Sequence, residues 1–280
     1  MKPMQRIDAH QHFWQLDRQD YRWLTSDLSE LYRDYLPEHL TGLMSQGNVE
    51  KTILIQAADS LDETYFMMKL ANQHEFIAGV VGWIDMLAYD AVEQLQRLSQ
   101  QPKFKGIRPM LQDLSDPAWI LNDAFAPIFQ ALIDNNLSFD ALVKTEHLPY
   151  LEQLIKRYPH LKVVINHGAK PDIASGKTQA WSDLIRSIAQ NPNVYCKLSG
   201  LVTEAGIHNN YVHIFPYMQH LFECFGSSRL MFGSDWPVLN LASDYPRWIT
   251  YVEHFVQAMT PAQQQAIWNN NAATFYNLTL

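Results

Sequence analysis

Short runs of β-branched and other apolar residues recur along the chain, each followed by a stretch in which apolar residues return every three or four positions. The runs cover Arg6–Phe13, Lys51–Ala57, Ile77–Ile84, Gly106–Met110, Leu137–Val143, Lys162–His167, Val194–Ser199 and Arg229–Ser234. Helical spacing fills Pro37–Gln46, Leu61–Gln73, Tyr89–Gln100, Ala124–Asn135, Leu148–Tyr158, Trp181–Gln190, Tyr211–Phe225 and Tyr245–Ala258. Strand then helix, eight times over, predicts parallel strands joined by crossover helices, and so an α/β fold of the (β/α)8 TIM-barrel type. A last helix is expected over Pro261–Asn271, with Thr260 as N-cap and Pro261 at the first helical position, packed on the barrel's outside or base. No Gly/Ser-rich linker, low-complexity run or repeat divides the sequence, and residues 1–280 read as one domain.

The long connection from Trp14 to Leu36 departs from a minimal barrel. It carries Trp14, Tyr21, Trp23, Tyr32 and Tyr35 among many charges. It reads equally well as a wall or lid over the barrel mouth and as an insertion that packs its aromatics on the outer helices.

Composition narrows the partners. With 47% hydrophobic and 18% charged residues the chain can build a substantial core. A net charge of −8 and the lack of a Lys/Arg cluster argue against nucleic acid. Cys196 and Cys224 form neither a CxxC motif nor a disulfide framework, so a reducing cytoplasm is expected. The N-terminus lacks an apolar signal core and no run of 18 apolar residues occurs, so neither export nor a membrane partner is expected. A homo-oligomer stays an open option.

In a barrel of this type the chemistry sits at the C-terminal ends of the strands. The first run ends Asp8-Ala9-His10-Gln11-His12, and alternation along a strand puts both imidazoles on one side, where they can share an ion. The sixth run ends in His167, with Lys170 just beyond, and the eighth in Asp235. Taken singly, His167 reads equally as a loop cap and Asp235 as a turn former; together with His10 and His12 they read as one rim. Arg108 and Lys197, at the ends of the fourth and seventh runs, suit a carbonyl, hydroxyl or developing carboxylate. Lys197 reads also as the partner of Asp140, and Trp83 and Trp236 either contact a ligand or wall the cleft. The other eight of eleven histidines fall in helical or loop positions and read as solvated or structural. His208, in a long loop with Glu204, is the one to follow.

Other chemistries fail on spacing. Gly176-Lys177-Thr178 would need a glycine where Pro171 stands, His74-Glu75 is not part of an HExxH motif, and neither GxGxxG nor GxSxG occurs.

The stretches Ile7–Trp14, His167–Pro171 and Met231–Pro237 together resemble the amidohydrolase superfamily, and within it the sugar-lactonase branch of L-fuconolactone and L-rhamnonolactone hydrolases. The 2-pyrone-4,6-dicarboxylate lactonases are a more distant likeness. Gly79–Asp85, Lys105–Asp113, Leu137–Asp140 and Cys196–Leu201 extend the resemblance over nearly the whole chain. It implies a hydrolase that opens a sugar-acid lactone to the free aldonic acid by attack of water on the lactone carbonyl. The implied catalytic groups are Asp235, His167 and Arg108, with Arg108, Lys197, Trp83, Asp140 and Trp236 on the substrate. His10, His12, His167 and Asp235 are the implied ligands of one divalent ion, zinc first because the set is rich in nitrogen, although some members of the branch need no metal. Two-metal members take a Lys or Glu from the fourth strand and a His from the fifth; Arg108 and Asp140 stand there instead, against a second ion. The alternatives are a metal-dependent decarboxylase of an unsaturated or aromatic acid and a binding protein on a dead barrel, the latter opposed by the intact rim set.

Overall fold

The apolar runs become the staves of a barrel. The computed structural model describes residues 5–279. Its strands are β1 (Arg6–Gln11), β2 (Val49–Ile55), β3 (Ile77–Gly82), β4 (Phe104–Ile107), β5 (Ser138–Ala141), β6 (Lys162–Ile165), β7 (Val194–Leu198) and β8 (Leu230–Phe232). Each pairs in parallel with the next in sequence. The seam between β8 and β1 is closed beyond the end of β8, where Asp235 N donates to His10 O and His12 N to Trp236 O, both at 2.8 Å. Asp8 stitches the same seam: fully buried, it accepts from Ser234 N at 2.8 Å and from the Tyr245 hydroxyl at 3.1 Å.

The strands stop short of several expected ends. β6 ends at Ile165 rather than His167, and β8 at Phe232 rather than Ser234. The reason is local backbone. His167, Gly168, Ala169 and Lys170 have φ of 55°, 58°, 63° and 47°, and Asp235 has 62°. Such left-handed residues leave the pleat and swing their side chains over the barrel mouth. For a residue with a Cβ that conformation costs about 1–2 kcal/mol, and strain of this kind gathers at functional sites.

The helices follow the spacing closely. They include α1 (Pro37–Gln46), α2 (Leu61–Gln73), α3 (Ala91–Ser99), α4 (Ala126–Asp134), α5 (Leu148–Arg157), α6 (Gln179–Ile188), a short α7 (Leu201–Glu204), α8 (Tyr211–Phe225) and α9 (Tyr245–Val256). The expected last helix is broken into α10 (Pro261–Gln265), a π turn at Ala266–Asn270 and α11 (Asn271–Phe275). Thr260 caps α10 as expected, its side chain accepting from Gln263 N. α11 closes the barrel's base: Phe275 and Tyr276 pack with Ile7, Ile53, Val81, Val164 and Met231. Each of the two rings withdraws about 150–250 Å² from water, about 4–6 kcal/mol at about 25 cal/mol/Å².

Both readings of the first loop hold in part. Its ends are zipped by paired bonds between Trp14 and Tyr35, and Trp14, Tyr21 and Tyr35 are buried. Trp23 instead reaches the mouth, its indole N–H donating to Ala57 O at 2.7 Å.

Candidate active site

At the C-terminal end of the barrel lies a cavity of about 240 Å³. His12, His167, Arg108, Lys170 and Asp235 form its polar side; Trp23, Leu28, Met110, Leu142, Val238 and Leu241 form an apolar one. His10 lies directly beneath, fully buried.

Asp235 is the hub. Its Oδ1 is 3.3 Å from His12 Nε2, 3.6 Å from His10 Nε2 and 3.6 Å from His167 Nε2, while the His10 and His12 Nε2 atoms are 3.2 Å apart. Its Oδ2 accepts no hydrogen bond among the described residues and is left for water or a ligand. Burial lowers all three imidazoles, with His167 held at about 3 and His10 pushed far down, further by the charge of Lys197. Burial pushes the Asp235 carboxyl up, but His167 and the hydrogen bond from His12 outweigh it and hold it at about 2. At neutral pH the cluster is therefore one carboxylate among neutral imidazoles.

That set fits a metal ion. A tetrahedral zinc with ligand distances of about 2.0–2.1 Å has ligand atoms about 3.3 Å apart; those of His10, His12 and Asp235 lie 3.2 to 3.6 Å from one another, and His167 Nε2 stands 3.6 Å from Asp235 Oδ1. The orientation of His12 agrees: its Nδ1 donates to Ile55 O at 2.8 Å, so its Nε2 turns a lone pair to the centre, while His167 Nδ1 pairs with Ser199 Oγ at 2.8 Å, which holds that ring with Nε2 facing Asp235. His10 Nδ1 faces Lys197 Nζ at 3.3 Å instead.

Arg108 follows β4 and keeps one arm free. Its Nε and Nη2 donate to the Gln56 side-chain oxygen at 3.1 and 2.8 Å, and Nη2 also to Gln56 O. Nη1 has only long contacts of 3.4 Å, to Asn166 Oδ1 and His10 Nε2, and remains the available donor. Burial lowers the guanidinium to about 10, which leaves it charged at neutral pH.

Four expected substrate contacts do not line the cavity. Lys197 and Asp140 are fully buried below it, paired at 2.6 Å, with the Tyr276 hydroxyl donating to Asp140 from the base at 2.9 Å. The ion pair spends both charges on each other, so they support the floor rather than meet a ligand. Trp236 packs edge-on against Phe13 and Tyr35, with ring centroids 6.0 and 5.1 Å away. Trp83, half-buried at the end of β3, is held through its backbone by Thr64 Oγ1. His208 is exposed and stacks on His213, outside the cavity. Lys170 reaches Glu204 at 3.6 Å on the rim.

Sequence reasoning missed Gln56, Asn166, Ser199 and Gln112. The first three are polar residues that end or follow apolar strand runs, the signal that did find His167 and Asp235. Gln112 lines the cavity with a buried side-chain oxygen that has no hydrogen-bond partner among the described residues.

A model of the amidohydrolase family matches residues 7–278. The chain belongs to the amidohydrolase family. This amidohydrolase is 42% identical over 277 residues to an L-fucono-1,5-lactonase of Burkholderia ambifaria, covering 98% of this chain and 96% of that one. An L-fucono-1,5-lactonase of Burkholderia multivorans is 36% identical over 285 residues, with 98% and 96% covered. A crystal structure of an amidohydrolase from Burkholderia multivorans with bound zinc has a TM-score of 0.93 at 36% identity, covering 98% of this chain and 99% of that one. The fold thus agrees with the family expectation drawn from the strand-end motifs.

Proposed function

We propose that this amidohydrolase opens a sugar-acid lactone, of the L-fucono-1,5-lactone or L-rhamnonolactone type, to the free aldonic acid. The observation that carries the reading is the 42% identity, over almost the entire chain, to a protein named for that activity. The cavity supports it: its size suits one sugar ring, with an apolar wall on one side and donors on the other. The decarboxylase alternative is not favoured, because the full-length relatives are lactonases.

The lactone carbonyl oxygen lies toward Arg108 Nη1, whose charge stabilises the oxyanion that forms on attack. Asp235 takes a proton from water as the water oxygen bonds to the carbonyl carbon. The same carboxyl then returns that proton to the ring oxygen as the C–O bond breaks, which balances the hydrolysis. His167, held against Ser199 with its Nε2 3.6 Å from Asp235 Oδ1, would either ligate an ion or hydrogen-bond the lactone carbonyl. His10, His12, His167 and Asp235 would hold a divalent ion, with zinc our choice, and such an ion supplies Lewis-acid polarisation and acidifies water. Among the described residues no helix is long and apolar enough to cross a membrane.

The test is proton release from a panel of sugar-acid lactones in a weakly buffered pH-indicator assay, run beside carbon dioxide release from unsaturated and aromatic acids. Hydrolysis of at least one lactone is expected. Silence across the lactones, with or without added zinc, together with carbon dioxide release, would transfer the site to decarboxylation.

A further inference from the structure

The segment after β2 contributes no group to the reaction drawn above, yet it grips two groups that face the cavity. Gln56 clasps Arg108 through both its side-chain oxygen and its backbone carbonyl. The next residue, Ala57, accepts the Trp23 indole N–H at 2.7 Å. Arg108 and Trp23 thus take their places from two consecutive residues of irregular, buried backbone.

That backbone is itself held from behind. Ala57 N donates to Glu63 Oε1 and Oε2 at 2.9 and 3.1 Å, and Ala58 N to Oε2 at 2.9 Å. Glu63 stands in the first turn of α2 and is fully buried. Burial of a carboxyl is costly unless it satisfies other groups, and here it satisfies two amides that no strand partner serves.

We propose that Glu63 is a positioning residue of the active site, acting through residues 56–58 to set Arg108 and Trp23 against the cavity. The activity arm of its test rests on the lactonase reading; the amide-exchange arm does not.

Three variants test it. Glu63→Leu removes both acceptors, Glu63→Asp withdraws the carboxyl by one methylene, and Glu63→Gln keeps one acceptor in place. Hydrogen exchange at the Ala57 and Ala58 amides is expected to speed up about 10-fold or more in Glu63→Leu and Glu63→Asp, and to return toward the wild-type rate in Glu63→Gln. In the same folded proteins kcat is expected to fall and KM to rise, with kcat/KM down about 30-fold and largely rescued by Gln, since a misplacement near 1 Å costs up to about 100-fold. Simple loss of folded protein lowers apparent kcat and leaves KM alone. In an Arg108→Met background Glu63→Leu is expected to cost less than about threefold more, because the two act on one element. Wild-type exchange at both amides in folded Glu63→Leu overturns the proposal, as does full multiplication of its effect with that of Arg108→Met. If Glu63→Leu does not fold, unchanged exchange and KM in Glu63→Asp overturn it equally. If the wild type opens no lactone, the functional reading fails while amide exchange still decides the role of Glu63.

Discussion

Gly200 lies so close to His167 that a Cβ on it would stand 2.6 Å from the imidazole Cγ and Nδ1. Its φ of 64° would also strain any residue with a side chain. Gly200→Ala is therefore expected to drive His167 off Ser199 and away from Asp235. The expected cost is about 2–4 kcal/mol in stability, from left-handed strain plus overpacking. A larger effect is expected on activity, with kcat/KM down about 100-fold in protein that is still folded. Urea melts and lactone kinetics on one preparation check this, and a folded variant with wild-type kinetics would remove the need for a fixed His167.

Asp235→Asn keeps the shape of the hub and removes the proton acceptor. We expect kcat to fall by about 10²–10⁴ while KM changes little, the range for loss of a general base. The wild-type pH profile checks the same assignment. Asp235 and His167 are held at about 2 and about 3, so the carboxylate is lost only as pH falls through about 2. kcat/KM should accordingly be level from about pH 5 to 7.5. A limb near pH 6 would pass the role of base to another group.

Much of this site is legible from local pattern alone. Alternation along a strand is enough to put His10 and His12 on one side of β1, and an apolar run ending in a polar residue is enough to bring His167 and Asp235 to the same rim. Lys197 shows where local pattern fails. Whether a strand-end ammonium meets a ligand depends on what faces it across the barrel, and Asp140, 57 positions away, takes its charge. Loop packing likewise decides which ring reaches the mouth: Trp23 does, one of the two readings open for its loop, while Trp236 packs on Phe13 and Tyr35. Glu63 escapes notice because its work is done on backbone amides, which carry no mark in the sequence, and Gln56 because the guanidinium it accepts from lies 52 positions away.

The cluster of His10, His12 and Asp235, with His167 beside it, predicts about one zinc per chain by elemental analysis after exposure to the metal and desalting. His12→Ala and Asp235→Asn should lose most of it, and Ser199→Ala, which frees the His167 ring, should weaken affinity about 10–100-fold. Zinc at about 100 times its Kd should stabilise the wild type by about 2.7 kcal/mol, seen as a rise in Tm that chelation reverses. Equal zinc content in wild type, His12→Ala and Asp235→Asn would place the ion elsewhere.

Glu63 makes stability fall as pH rises across neutrality, against the rise that the buried, neutral His10, His12 and His167 contribute below about pH 6.5. Burial holds its carboxyl at about 8, against an ordinary value of 4.5, with the backbone amides of Ala58 and Ala57 and the charges of Arg108 and Arg18 pulling it back. Tyr21, from the first loop, faces it as well. Between those two values the folded chain keeps a proton that the unfolded chain releases, so the slope of unfolding free energy against pH is negative. One such group contributes at most about 1.4 kcal/mol per pH unit. Urea melts at pH 5.5, 6.5 and 7.5 should show Glu63→Gln gaining stability relative to wild type as pH rises, and a difference that stays constant with pH would mean that Glu63 is already ionised throughout.

Gln112 supplies the last prediction, on specificity. Its side-chain oxygen is buried at the edge of the cavity with no hydrogen-bond partner among the described residues, the kind of deficit that a ligand hydroxyl removes. A site with an unmet acceptor favours a substrate that carries a donor there and rejects an analogue without one. Replacing the amide by an apolar group of similar reach, Gln112→Leu, removes that demand. KM for the hydroxylated lactone should rise about 10-fold, about 1.4 kcal/mol, while a deoxy analogue lacking the matching hydroxyl should bind as well as before or better. Kinetics of both enzymes on the lactone and on each of its ring-deoxy analogues give the comparison. If Gln112→Leu changes KM equally for every analogue, the amide is a neutral part of the wall and the hydroxyl is read by another residue.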